Sequence, residues 1–238
     1  MSTLLDHRWG IKKESVYGTP VVVDRFYVRT DDCKHTWDPR GRQGAGVASA
    51  GRKAVLGSRY YVPTGQGEVT VKIPVESKQA GVLLDLAFGV STVSSITGGS
   101  QINFHPGVTG TVLPSATIQF VDVMNSGTEV VTTYAGCTAT KVKLSQDNED
   151  AVMVEVTFDA LTRTKATGAA TKSYTFGVIF DAYQATAGLG GTLTVPTTTV
   201  LGSGPTAFAD FRTWEIELDQ KAALDRWNIN GGVRKQPT

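Results

Sequence analysis

The residues best suited to chemistry lie between Asp31 and Arg59. Asp31-Asp-Cys-Lys-His35, with Asp38 nearby, offers carboxylate, thiol and imidazole ligands within a few positions. No second His or Cys follows at ligand spacing, and a thiol-plus-carboxylate mixture suits no common metal geometry, so these residues read as a solvated loop. Gly44-Ala-Gly-Val-Ala-Ser49 imitates a dinucleotide fingerprint. Ser49 stands where Gly or Ala is needed, and neither a helical period nor an acidic ribose partner follows. Gly46 with Gly51-Arg-Lys53 fails as a phosphate loop, because Lys53 comes one position late and Ala54 replaces Ser or Thr. No serine has the Gly-x-Ser-x-Gly setting of a nucleophile elbow. His7, His35 and His105 are scattered, without a carboxylate or serine partner visible in the sequence. The chain therefore reads as no enzyme and as needing no cofactor.

Arg40, Arg42, Arg52, Lys53 and Arg59 give the same stretch a local positive excess. Phosphate contact, a solvated loop and docking on an acidic face of another subunit are the three readings. The third is preferred, since Arg forms bidentate pairs with carboxylates and nucleic-acid binders carry a basic excess over the whole domain. Trp9, Trp37 and Trp227 lie in segments with little periodicity. They are candidate anchors in a partner's groove, although folding back onto their own domain serves equally well.

The elements that would hold these residues are mostly strands. Thr138, Thr140, Val142 and Leu144 alternate before the turn Gln146–Asp150. Val152, Val154, Val156 and Phe158 then alternate with Met153, Glu155, Thr157 and Asp159, which predicts a long two-stranded ribbon with one apolar and one polar face. A first strand is expected over 21–29, and a hairpin joins 59–63 to 67–75. Further strands are expected near 100–105, 115–124 and 128–134, with a last one over Phe211–Leu218. Ser77–Phe88 reads as a helix capped by Ser77, buried through Ala80, Leu83, Leu84, Ala87 and Phe88, and ended by Gly89. Asp31–Ser58 has no steady period, which at that length suits a functional or disordered loop. Residues 162–210 are rich in Thr, Ala and Gly, and a polar tail covers 221–238.

Composition supports one domain. The 238 residues are 40% apolar and 19% charged, with a net charge of +1 and 26 glycines. No global field recruits nucleic acid or an anionic membrane, and a chain of this size buries a core without staples. Asp85 interrupts the densest apolar run, Gly81-Val-Leu-Leu84, so no segment reads as a bilayer span and membrane binding is not expected. Cys33 and Cys137 fit no CxxC or zinc spacing and read as reduced and buried, in a protein made in the cytoplasm.

Gly10-Ile-Lys-Lys-Glu-Ser-Val-Tyr-Gly-Thr-Pro20, followed by Arg25-Phe26, resembles the opening of tail tube (major tail) proteins of long-tailed, siphovirus-type bacteriophages. Gly81-Val-Leu-Leu-Asp-Leu-Ala-Phe-Gly89 is similar to their short helix. His105, Leu113-Pro-Ser-Ala-Thr-Ile118 and Tyr134-Ala-Gly-Cys137 follow in the family's order. The resemblance spans roughly residues 10–160, and 162–210 has no counterpart. It implies a mainly β, tail-tube-type barrel or sandwich with one flanking helix, acting as a structural virion protein. Hexameric rings would stack into a hollow tube around a tape-measure protein, capped by tail terminator and distal tail proteins, and double-stranded DNA would later pass through.

The arm 1–20, the loop 31–58 and the termini would bridge copies, through Trp9, Trp37, Arg40, Arg42, Arg52, Lys53, Arg59 and Trp227. Lys141, Lys143, Glu155 and Asp159 are candidates for the lumen, where acidic or neutral side chains are expected. Asp31–Ser58 and the tails outside roughly 10–220 are expected to order only on assembly. Another tail or connector protein with the same barrel, or a host-binding β-sandwich, is the alternative.

Overall fold

In the computed structural model, the described residues are 7–30, 32–38, 42–43, 60–61, 65–76, 80–96, 99–106, 112–124, 126–147, 150–168 and 213–220, with strand pairs at 188–189, 194–195, 198–199 and 206–207. They form a mainly β fold with one helix. In order these are β1 (Arg8–Lys13), β2 (Phe26–Val28), β3 (Lys34–Asp38), β4 (Arg42–Gln43), β5 (Tyr60–Tyr61), β6 (Gln66–Pro74), α1 (Ala80–Phe88), β7 (Gly89–Ile96) and β8 (Gly99–Pro106). Next come β9 (Ser115–Val123), β10 (Glu129–Gln146), β11 (Met153–Ala160) and β12 (Thr162–Thr167). The short β13 (Gly188–Leu189), β14 (Thr194–Val195), β15 (Thr198–Thr199) and β16 (Thr206–Ala207) precede β17 (Trp214–Asp219).

The spine is β10, 18 residues long. One of its edges pairs β12 along Val130–Ala135 and then β11 along Thr138–Ser145. The partners Ala135↔Thr162 and Thr138↔Asp159 keep one register across Leu161, so β11 and β12 act as a single long strand. The opposite edge pairs β9 and then β17, which faces Lys141–Gln146. From there β9 leads through β1 to β2, and β11 leads through β6 to β3. The predicted ribbon is therefore present and longer than its alternation indicated.

Period-2 patterning explains the layering. Val69, Val71 and Ile73 of β6 are buried against Val154, Val156 and Phe158 of β11, while Glu68, Thr70 and Lys72 face away. Trp9 and Ile11 of β1 join Ile118 and Phe120 of β9 in the same core. Helix α1 covers this face through Ala80, Leu83, Leu86 and Ala87, with Leu84 and Phe88 partly buried beside them. Gly89 follows at φ 86° and ends the helix. The expected cap, Ser77, lies outside the described residues. Each large side chain buried here is worth about 1.5–3 kcal/mol. A smaller cluster of Val23, Phe26, Val121 and Val131 forms separately.

Several elements differ from the sequence reading. Residues 60–61 pair with 42–43, not with β6. The reason is yield: β6 gains eight cross-strand partners from β11 on one edge and five from β3 on the other, whereas the two tyrosines offer a short ladder. The strand expected over 21–29 shrinks to Phe26–Val28, and the first strand is Arg8–Lys13, inside the supposed arm. Lys34–Asp38, inside the supposed loop, is bonded to β6 in the single chain. Thr162–Thr167 pairs with β10 because it continues β11, although its six residues are all exposed. Cys33 and Cys137 are both buried, and neither is in a disulfide.

Candidate functional site

The polar face of the half-sheet β17-β10-β11-β6-β3 collects the charged side chains. Cross-strand register puts Lys141 and Lys143 beside Asp219 and Glu217 on one flank, and beside Thr157 and Glu155 on the other. Glu155 faces Lys72, Asp159 faces Glu68, and Lys34 and Asp38 complete the row on β3. Lys141 bonds Glu217 at 2.9 Å and Lys143 bonds Glu215 at 2.8 Å. These hydrogen bonds raise both lysine pKa values. Among the described residues, four lysines (34, 72, 141, 143) thus meet seven carboxylates (Asp38, Glu68, Glu155, Asp159, Glu215, Glu217, Asp219), which makes this set net acidic.

Lys141, Lys143 and Glu155 are where the alternation put them. Asp159 is corrected: it belongs to this face but is 5% exposed, because Gln66 Nε2 reaches over from β6 and donates to it at 3.0 Å. The acids of β17 were missed. Their signal was present, since Glu215, Glu217 and Asp219 alternate with the same period as the lysines.

Trp9 needs the same treatment. It has no exposed surface, and it stacks on Tyr27 with ring centroids 4.4 Å apart. No face of it is left for another subunit, so in this chain Trp9 anchors its own sheet. Trp37 is different. The absent side chains of Gly65 and Gly67 make room for its ring, and Arg163 sits 5.4 Å from the ring centroid. Trp37 is half-buried and lines a cavity of about 350 Å³ with Asp38, Glu68 and Asp159. Arg42 stands on β4; Arg40, Arg52, Lys53, Arg59 and Trp227 lie outside the described residues.

The stretch 32–38, read from the sequence as a solvated loop, is instead tied into the sheet by β3, and its side chains part. Asp32 turns outward to Lys72 at 3.0 Å, Cys33 is buried, and His35 stacks on Phe120 with its Nδ1 at 2.8 Å from the Tyr134 hydroxyl. Burial, with Arg29 nearby, lowers the His35 pKa.

A carboxylate the sequence reading left unexplained organises the other half. Glu14 is 8% exposed and accepts four hydrogen bonds. They come from Ser115 Oγ at 2.7 Å, Thr117 Oγ1 at 2.8 Å, the Gly136 amide at 2.9 Å and the Gly18 amide at 3.0 Å. Gly136 has φ 66°, and a side chain there would strike Leu161, so the kink in β10 requires glycine. At Gly10 an added carbon would strike the Arg25 carbonyl. The stretch Gly10–Pro20 is thus a clasp binding the amino-terminal turn to β9 and β10.

A family model described as phage tail tube protein matches residues 5–235. The chain belongs to the phage tail tube protein family. No curated protein matches it. As a tail tube protein it is a structural component of the virion. Among the described residues, no helix is long and apolar enough to cross a membrane.

Proposed function

We propose that copies of this tail tube protein close head to tail into hexameric rings, and that the rings stack into the tube of a siphovirus-type tail. The single observation supporting this is the half-sheet β17-β10-β11-β6-β3. Among the described residues its two outer strands, β17 and β3, each pair on one side only, and its polar face is net acidic. An edge strand offers a row of unpaired backbone groups to another copy. A contact between the two different ends repeats head to tail and closes when its rotation closes.

The acidic face then turns to the lumen, around the tape-measure protein and later the DNA. A wall holding more carboxylates than lysines makes few lasting phosphate contacts, so DNA slides. Terminator and distal tail proteins cap the ends, and assembly takes place in the host cytoplasm. Trp37, Arg42 and the basic residues beyond it are contacts between copies, along with Trp227.

Negative-stain microscopy of the concentrated protein tests the reading. Long hollow tubes with six-fold end views are expected. Single closed rings that never stack would make it a connector, and a chain that stays monomeric at every concentration would overturn the proposal.

A further inference from the structure

The geometry points to the hairpin β7–β8 as an assembly arm that docks on a second copy of this chain through Val93 and Ile102. This rests on the tube reading and adds to it the segment that makes one of the contacts.

The hairpin pairs Gly89↔Pro106 through Ile96↔Gly99 and forms a two-stranded sheet of its own, with no third strand among the described residues. Eight residues of strand make an arm about 26 Å long. Its root is held where Phe104 meets Phe88 of α1, with ring centroids 6.4 Å apart. Beyond the root, residues 91–95 are all exposed. Val93 and Ile102 are direct cross-strand partners, 68% and 49% exposed, so one face of the arm carries an apolar pair in water.

The composition is as telling as the exposure. From Gly89 to Pro106 there is no Asp, Glu, Lys or Arg, in a chain that is 19% charged. Strands that stay in water are normally guarded by charges or proline, and here Pro106 stands only at the last position. An isolated two-stranded hairpin is marginal in water and gains stability from a third strand or a packed face. An arm with an exposed apolar pair, no charged guard and no third strand among the described residues is built to be covered.

Stoichiometry favours a second copy of this chain as what covers it. Every subunit along a tube carries one such arm, so its receptor must be present once per subunit along the whole length. A tube made of this chain supplies that receptor in every neighbouring copy. Proteins confined to the tube ends do not.

The test uses the full-length chain with Val93→Lys, Ile102→Glu and, as an uncharged strand former, Val93→Thr. Both charged variants are expected to keep the wild-type circular dichroism spectrum and urea midpoint. They should require at least about tenfold more protein to form tubes, since docking would bury an unpaired charge. Val93→Thr should assemble close to wild type. Charged variants that polymerise at the wild-type concentration overturn the arm while leaving the tube intact. A wild-type chain that never assembles overturns both. Hydrogen exchange on the wild type gives a readout free of mutation. Amides of 91–95 and 101–104 should slow on assembly, and unchanged exchange in finished tubes would refute the docking.

Discussion

Glu14 ties together parts of the chain that are distant in sequence. Its four donors come from three separate stretches of chain, so replacing it exposes several buried groups at once. In Glu14→Gln the amide oxygen still accepts, and a serine or threonine hydroxyl can turn to receive the new N–H. One backbone amide must then face a donor. We expect a loss of about 2 kcal/mol for Gln and more for Ala in urea unfolding, and equal stability of the three proteins would contradict the clasp. His35 carries a pH dependence. Burial lowers its pKa in the fold below the ordinary 6.5, so the unfolded chain binds the proton more readily. The contribution of neutral His35 is complete above pH 6.5 and is lost as pH falls through the lowered folded value. Wild type should therefore lose stability on acidification more steeply than His35→Phe, which keeps a ring against Phe120 and cannot titrate. Parallel pH profiles would argue against this.

Among the elements, β17 is the most dependent on charge. Among the described residues its one strand partner is β10, four of its six residues are exposed, and its lysine partners lie on the polar face. Ion pairs this exposed are screened by water and contribute little to global stability. Reversing both lysines, in Lys141→Glu with Lys143→Glu, replaces attraction with repulsion from Glu215, Glu217 and Glu155. Amides of 214–219 should then exchange faster while the global unfolding midpoint moves little. A large midpoint shift with unchanged exchange would mean that β17 is integral to the core. By contrast, β6 and β11 share buried rows on one face and pair over eight residues, which makes them the rigid part of the half-sheet.

For the whole molecule, the sign of the polar face matters more than any single pair. Changing Glu68, Glu155 and Glu217 together to Lys makes the face strongly basic while leaving the apolar layer untouched. Tubes of this variant should retain short duplex DNA, protect it from nuclease and release it at high salt, because phosphate contacts weaken as salt rises. Wild-type tubes should do none of this. Variant tubes that bind DNA but leave it open to nuclease would put the face on the outside of the tube.

The alternating rows on β6, β10 and β11 were legible because a strand half-buried in a sheet must repeat every two residues. The end of α1 at Gly89 was legible for a similarly local reason. Partners far apart in sequence were not. Glu14 meets Thr117 and Gly136 more than a hundred positions away, and nothing near Glu14 specifies acceptance of their hydrogen bonds. Trp9 and Lys34–Asp38 looked loosely structured because their own periodicity is weak, yet Tyr27 and β6 provide the surfaces that order them. Local chemistry thus determined which face of each strand is apolar and where chain direction can turn. Only the folded chain decided which edges meet, since pairing is settled by competition among distant strands for matching length and shape.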